Sequence, residues 1–477
     1  MSKNQYDVTL ATYLLNNTLK KAELLNNIED NWIKNYNTFQ KKFKNTLIEL
    51  KKTYFSLEQS KKILSLYIST KEKIDKNTQT KHIFKNIDLN LIEVLSTIEN
   101  NGIYISKKIL ENISNIFNLK LLYLQKKSYI ALHKKINLLS NLELMQEIPI
   151  LKSHKKVNKT ILTILSKQYL LPKIILKYRN LYMLKNTYSE KLLNMIDKKT
   201  KRIHCCYNQT NTITSRLSSS HPNLQNIPIH NKEGKYIRAA FLAPKDCLLV
   251  STDYSQFELR ILAHFSQDEK FLDAFLKDKD IHLITASEIF NTTFKNITYH
   301  ERHHAKLINF SILYGMSSYG LSKQLNINIK KARNYIQTYK EKYKKIFQYI
   351  ENTKNMALKN GFVTTLEGRK LFIPNIKSKN KKIQKIAKKT AISAVIQGTT
   401  SDIMKISMIK INNLIKQDFK SHAKIVLHIH DELIFEIKKE KIKLFCEKII
   451  NIMENIKTLK VPLKINTKIG KNWLEIN

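Results

Sequence analysis

Two apolar runs, each leading into a carboxylate, constrain this chain more than any other feature. Leu248-Leu249-Val250 runs into Asp253, and Ile425-Val426-Leu427 runs into Asp431. Short apolar runs of this kind read as buried strands, so each carboxylate is expected where a strand ends. Lys424 to Ile437 reads as two strands joined at His430-Asp431-Glu432, a hairpin that presents its carboxylates at the turn. Adjacent strands that bring Asp253 and Asp431 together form a site for two hard divalent cations. That is the arrangement phosphoryl transfer uses, one metal activating the attacking oxygen and the other stabilising the leaving oxygen. Two exposed turn aspartates are the plain alternative, and the apolar strands beside them count against it.

A second segment bears on which phosphoryl group is handled. Arg302-His303-His304-Ala305-Lys306-Leu307-Ile308-Asn309-Phe310-Ser311-Ile312-Leu313-Tyr314-Gly315 has helical periodicity. Arg302, Lys306, Phe310 and Tyr314 recur every four residues and line one face, while Ala305, Ile308 and Ile312 are free to pack inward. Two cations followed by two aromatics suit a triphosphate followed by a sugar and base. Gly315 is expected to end the helix.

The chain has 477 residues and is 42% hydrophobic, enough for two to four packed units with real cores. No stretch is apolar enough to span a membrane, and Met1 to Asp7 lacks a secretory apolar region. The four cysteines show neither zinc spacing nor a disulfide framework, so a reducing interior is expected. A formal net charge of +44 points to a polyanionic partner, nucleic acid first. The chain is also rich in Lys, Asn and Ile, as A/T codon bias produces, so much of that charge reads as drift on solvated faces. There are only 8 glycines. Gly315, Gly320 and Gly398 fall in or beside the segments singled out here and are expected to hold backbone conformations closed to other residues.

At Asp253-Tyr254-Ser255-Gln256-Phe257-Glu258-Leu259-Arg260, at the Arg302–Gly315 segment and at His428-Ile429-His430-Asp431-Glu432, the chain resembles family A DNA polymerases, the bacterial DNA polymerase I type. A fourth match is Thr214-Ser215-Arg216-Leu217-Ser218-Ser219 followed by Pro222-Asn223-Leu224-Gln225-Asn226-Ile227-Pro228. Four motifs in order make a specific signal. The resemblance implies an α+β fold, a right-hand polymerase with an antiparallel-sheet palm, helical fingers and a helical thumb. It implies a thumb over 84–204, palm over 205–265 and 378–477, and fingers inserted over 266–377. Residues 1–83 would be a non-catalytic remnant of the 3′→5′ exonuclease region. Neither that proofreading site nor a 5′-nuclease domain is expected; Asp7-Val8-Thr9-Leu10 is faintly similar to the proofreading domain's last helix.

The resemblance also implies roles. Asp253 and Asp431 would hold two Mg²⁺ ions, helped by the Tyr254 carbonyl, with Glu432 adding charge. Lys306 and Arg302 would bind the triphosphate, aided by His282 and Gln256, and Lys306 would also act as a proton donor. Phe310 and Tyr314 would pack on the nucleotide, and Glu258 with Tyr314 would exclude a ribose 2′-hydroxyl. The DNA would be met by Arg216, Asn223, Gln225, Gln397, His430, Tyr319 and Lys389. A first-turn glutamate favoured by the helix dipole is the plain reading of Glu258, and a surface histidine that of His282. Departures from the family pattern are Lys389 for arginine, Ser393 for asparagine, His428 for glutamine and Ser215 for glycine, which point to retained activity with lowered fidelity, and Phe257 for an aliphatic residue, which points to different packing under Glu258. The thumb tip, Asn137 to Glu143, lacks its usual lysine and glutamine, and the loop after it carries Lys152, Lys155, Lys156 and Lys159.

The expected activity is DNA-directed DNA synthesis by a monomer on primer–template DNA with dNTPs. The expected location is the bacterial cytoplasm at the nucleoid, or an organelle interior in a eukaryote. A single-subunit RNA polymerase shares this chemistry, and Glu258 stands against it. A catalytically dead nucleic-acid scaffold is the other alternative, and the intact aspartate pair stands against that.

Overall fold

The computed structural model describes residues 7–17, 61, 63–152, 157–229 and 231–476. At its centre is a four-stranded antiparallel sheet built from β1 (Cys247–Tyr254), β2 (Ala423–Ile429), β3 (Glu432–Lys438) and β4 (Ile465–Gly470), in the spatial order β4-β1-β3-β2. Val250, Leu427, Leu433 and Phe435 are fully buried, each contributing about 1.5–3 kcal/mol of burial. β2 and β3 pair from Ile429 opposite Glu432, leaving His430 and Asp431 as a two-residue turn. His430 has φ 52°, the left-handed backbone that such tight hairpin turns require.

Helices surround the sheet. Near the N-terminus α1 (Val8–Leu15) starts at Asp7, whose side chain accepts the Leu10 amide at 2.9 Å. The long α2 (Lys107–Leu132) packs along α3 (Leu170–Leu184). After β1 the chain turns at once into α4 (Phe257–Ser266), then forms α5 (Ile281–Phe290), α6 (Tyr299–Leu313) and α7 (Ser318–Leu325). α5 lies against α6, and α8 (Lys381–Asp418) packs on α4 before the chain returns to the sheet at β2. One apolar core runs from the sheet through α4 to α6. This is the expected α+β architecture. Most of residues 1–83, and the lysines Lys155 and Lys156, lie outside the described residues.

α6 carries two end signals. Thr298 and Glu301 form a reciprocal capping box. At the other end Met316 N–H reaches Ser311 O at 2.8 Å and Gly315 N–H reaches Ile312 O at 3.0 Å. With Gly315 at φ 60°, this is a Schellman stop. Gly320 and Gly398 have no positive φ, contrary to expectation. At Gly398 the constraint is steric: a Cβ would lie 2.6 Å from Leu371 Cδ1 and 2.8 Å from Thr365 Cγ2.

Candidate active site

Asp253 stands directly across from Glu432 in the β1–β3 register, and Asp431 sits in the adjoining turn. Three carboxylate residues thus lie at one end of the sheet. Asp253 is an exposed residue, yet the surrounding protein excludes enough water from its carboxyl to push it up to about 7, with Glu432 and Asp431 adding repulsion. Burial likewise raises Asp431 to about 6 against the pull of Arg216. Glu432 is raised by burial too, although it accepts a short hydrogen bond from Ser251 Oγ. Crowded, poorly hydrated carboxylates of this kind are stabilised in their charged form by a cation. All the donors are oxygens, which suits a hard ion. Among the described residues, however, no three His, Cys, Asp or Glu side chains converge as a self-sufficient cage. One or two carboxylates completed by substrate phosphates and water is how Mg²⁺ is ordinarily held, so the donor set fits that ion.

A chain of polar contacts runs from these carboxylates to α6. Arg216 Nη2 lies 3.7 Å from Asp431 Oδ2 and donates to Glu258 Oε1 at 2.7 Å. Glu258 Oε2 accepts the Tyr314 hydroxyl at 2.5 Å. Glu258 is 7% exposed, so its carboxylate is fixed by two partners rather than solvated at a helix start. Burial raises the Tyr314 phenol, and the Glu258 charge raises it further, so Tyr314 stays a neutral donor. Gln397 on α8 lies close enough to join this contact. Phe257 stacks on Tyr254 at a centroid distance of 4.1 Å, which gives the unusual aromatic a packing role beneath Glu258.

On the facing side Lys306 is exposed, while Arg302 and Phe310 are half-buried. Ala305, Ile308 and Ile312 point into the core. Asp280 holds Arg302 by Nε at 2.8 Å and Nη2 at 2.7 Å. Its other oxygen caps α5 through the His282 and Leu283 amides. His282 is 3% exposed, so it is not a surface histidine. Burial lowers it to about 4, and Asn309 Nδ2 lies 3.1 Å from its Nδ1, which makes it a neutral imidazole. Gln256 has φ 49° where β1 turns into α4.

Of the residues expected to meet DNA, His430 is exposed at the turn and Tyr319 is 62% exposed on α7. Asn223 accepts from Ser219 Oγ at 3.0 Å, and Gln225 Nε2 lies 3.4 Å from the His428 carbonyl. Gln397 and Lys389 are half-buried on α8, the Lys389 side chain lying against Gly315. His428 is buried and lowered to about 3 by burial, so an uncharged ring fills the place of the usual glutamine. Its backbone N–H donates to the Tyr207 hydroxyl at 2.9 Å.

Several contacts that shape the site were not foreseen. Ser215 has φ 60°, which explains the glycine usual there. Its Oγ accepts Lys405 Nζ at 2.7 Å and its carbonyl accepts Ser401 Oγ at 2.7 Å, so the strained backbone is bolted to α8. Asp280 did carry a signal, an aspartate two residues before His282 at a helix start. Lys405 and Tyr207 carried none, because their partners are distant in sequence.

A family model for DNA polymerase family A matches residues 106–475. The chain belongs to DNA polymerase family A. It is 38% identical over 432 residues to DNA polymerase I of Pseudomonas aeruginosa, covering 88% of this chain and 47% of that one. It is 36% identical over 489 residues to DNA polymerase I of Caldicellulosiruptor bescii, covering 99% and 55%. The chain therefore spans about half the length of these family A relatives. Among solved structures it is similar to the POL domain of Pol1 from M. smegmatis in complex with DNA primer-template and dNTP, with a TM-score of 0.87 at 28% identity, over 98% of this chain and 82% of that one.

Proposed function

We propose that this chain is a DNA-directed DNA polymerase that adds dNMP to a primer 3′-OH in replication or repair. The observation that carries this reading is that Asp253 stands opposite Glu432, with Asp431 in the adjoining turn linked through Arg216 and Glu258 to Tyr314, in a chain of family A. In the reaction the primer 3′-oxygen bonds to the α-phosphorus, the bond to the β-phosphate bridging oxygen breaks, and pyrophosphate leaves. Asp253, Asp431 and the Tyr254 carbonyl would hold two Mg²⁺ ions, which supply charge stabilisation and a more nucleophilic 3′-oxygen. Glu432 adds negative charge beside them.

The chain's own residues position and neutralise. Lys306 and Arg302 meet the triphosphate, and Lys306 can hand a proton to the departing pyrophosphate. Gln256 and neutral His282 line the same path. Phe310 and Tyr314 lie under the sugar and base, and the Tyr314–Glu258 pair fills the space a 2′-hydroxyl needs. Arg216, Gln397 and His430 meet the primer terminus and minor groove, whose acceptors are nearly sequence-independent. Asn223, Gln225 and Lys389 flank that duplex, and Tyr319 stacks on template bases. The thumb spans 84–204, the palm 205–265 and 378–477, and the fingers 266–377, with 1–83 non-catalytic. The protein works as a monomer in the cytoplasm at the nucleoid. Among the described residues no helix is long and apolar enough to cross a membrane. The test is extension of a labelled primer on four templates that differ only in the first templating base. Each should direct its complementary dNTP, and incorporation that ignores the template would remove the reading.

A further inference from the structure

Arg216 sits at the end of the loop Thr212–Arg216, and that loop is held from behind by a segment outside the span matched by the family model. The Tyr13 hydroxyl on α1 donates to Thr212 O at 2.6 Å. Just after α1, Asn17 Nδ2 donates to Ile213 O at 2.5 Å, while its Oδ1 accepts the Phe372 amide at 2.8 Å. Tyr13 and Asn17 are 3% and 6% exposed, so both side chains are buried where they meet the loop. From the opposite side Lys405 and Ser401 of α8 grip Ser215, and Thr212 Oγ1 closes the loop onto Arg216 O at 2.8 Å. A loop forced through a left-handed serine needs such over-determination to keep one conformation. Its last residue is the one that orients the Glu258 carboxylate and approaches Asp431.

The geometry points to residues 7–17 as a positioning strut for Arg216: Tyr13 and Asn17 fix the carbonyls of its loop and thereby set how Arg216 meets the primer terminus and the Glu258 gate. The second half of this inference rests on the polymerase reading; the first half does not. Neither residue touches substrate in this account, so both act through Arg216.

The experiment uses the full chain with Tyr13→Phe, which deletes one buried donor and keeps the ring, and Asn17→Ala as a second, independent variant. Each is made alone and with Arg216→Ala. In the wild-type background each should lower kcat/KM for dNTP addition about fivefold, the factor one ordinary hydrogen bond corresponds to. In the Arg216→Ala background the same change should cost less than about twofold, because groups that act as a unit are not additive. Equal losses in both backgrounds would mean general destabilisation and would overturn the strut. Hydrogen exchange of the 212–216 amides is measured in parallel and does not depend on activity. It should quicken in both variants, and unchanged exchange would overturn the inference even if the chain proved inactive. If exchange quickens while the wild-type chain extends no primer, the strut stands and the polymerase reading falls.

Discussion

At the scale of single residues, the most exposed claim is that Glu258 discriminates sugars. It is held by Arg216 and Tyr314 at 2.7 and 2.5 Å, so truncation both opens space and frees two donors. Glu258→Ala should raise the ratio of kcat/KM for rNTP to that for dNTP by on the order of 10- to 100-fold. Lys306→Ala should weaken both substrates alike and leave the ratio unchanged. A ratio that stays flat in Glu258→Ala would refute the gate and revive the RNA polymerase reading. A second residue-scale expectation concerns pH. In the unfolded chain the two aspartates titrate near their ordinary value of about 3.9, but in the fold Asp253 and Asp431 keep protons up to about 7 and about 6. Between those limits the folded state binds more protons than the unfolded one. Their contribution to stability therefore falls as pH rises from about 4 to about 7, and is level above. Mg²⁺ binds the ionised pair, so the rise in Tm on adding Mg²⁺ should be larger at pH 8 than at pH 5, and smaller in Asp253→Asn. An equal rise at both pH values would count against a cation at these carboxylates.

At the scale of elements, the strand ends and the α6 face were legible because each is a local pattern: an apolar run before a carboxylate, and a four-residue spacing closed by glycine. What was illegible depends on partners far away in sequence. The left-handed backbone of Ser215 is supported by Lys405, and Asp280 pairs with Arg302 across two helices. The plain reading of His282 as a surface histidine fails because nothing nearby in sequence reveals that α6 buries it through Asn309. The Schellman stop of α6 offers an element-scale test. Gly315→Ala forces a side chain into φ 60° with Lys389 Cγ only 3.2 Å from the new Cβ. It should cost about 1–2 kcal/mol and lower kcat/KM for dNTPs, because Tyr314 is the adjoining cap residue. Gly361→Ala carries comparable backbone strain at φ 82° with open space around it. It should cost about 1 kcal/mol in urea unfolding and leave kcat/KM unchanged. Similar activity losses in the two variants would show that the α6 end has no special bearing on the site.

At the scale of the whole molecule, the cleft depends on contacts that join remote parts of the chain. Arg369 pairs with Asp88 through two 2.8 Å bonds and with Asp402 at 2.7 Å, while Lys405 lies 3.5 Å from Asp88. Burial alone would raise Asp88, but the Arg369 and Lys405 charges hold it below the usual carboxylate range. This buried cluster links Asp88 and Arg369 to Asp402 and Lys405 on α8, and Lys405 passes the linkage to Ser215 and so to Arg216. Buried ion networks of this kind are weak evidence for stability and better evidence for a single fixed arrangement, which is what a site assembled from residues 216, 253, 258, 314 and 431 requires. The +44 charge belongs to this scale as well: many lysines can hold a duplex without any one of them being decisive, whereas the two aspartates are singular. One pair of measurements separates those two functions. Asp253→Ala and Asp431→Ala are assayed side by side for primer extension with Mg²⁺ and for primer–template affinity at fixed salt. Extension should fall by at least about a thousandfold while affinity changes by less than about threefold. Extension near the wild-type rate in either variant, with the duplex bound as before, would contradict the assignment of Asp253 and Asp431 as the metal-holding pair.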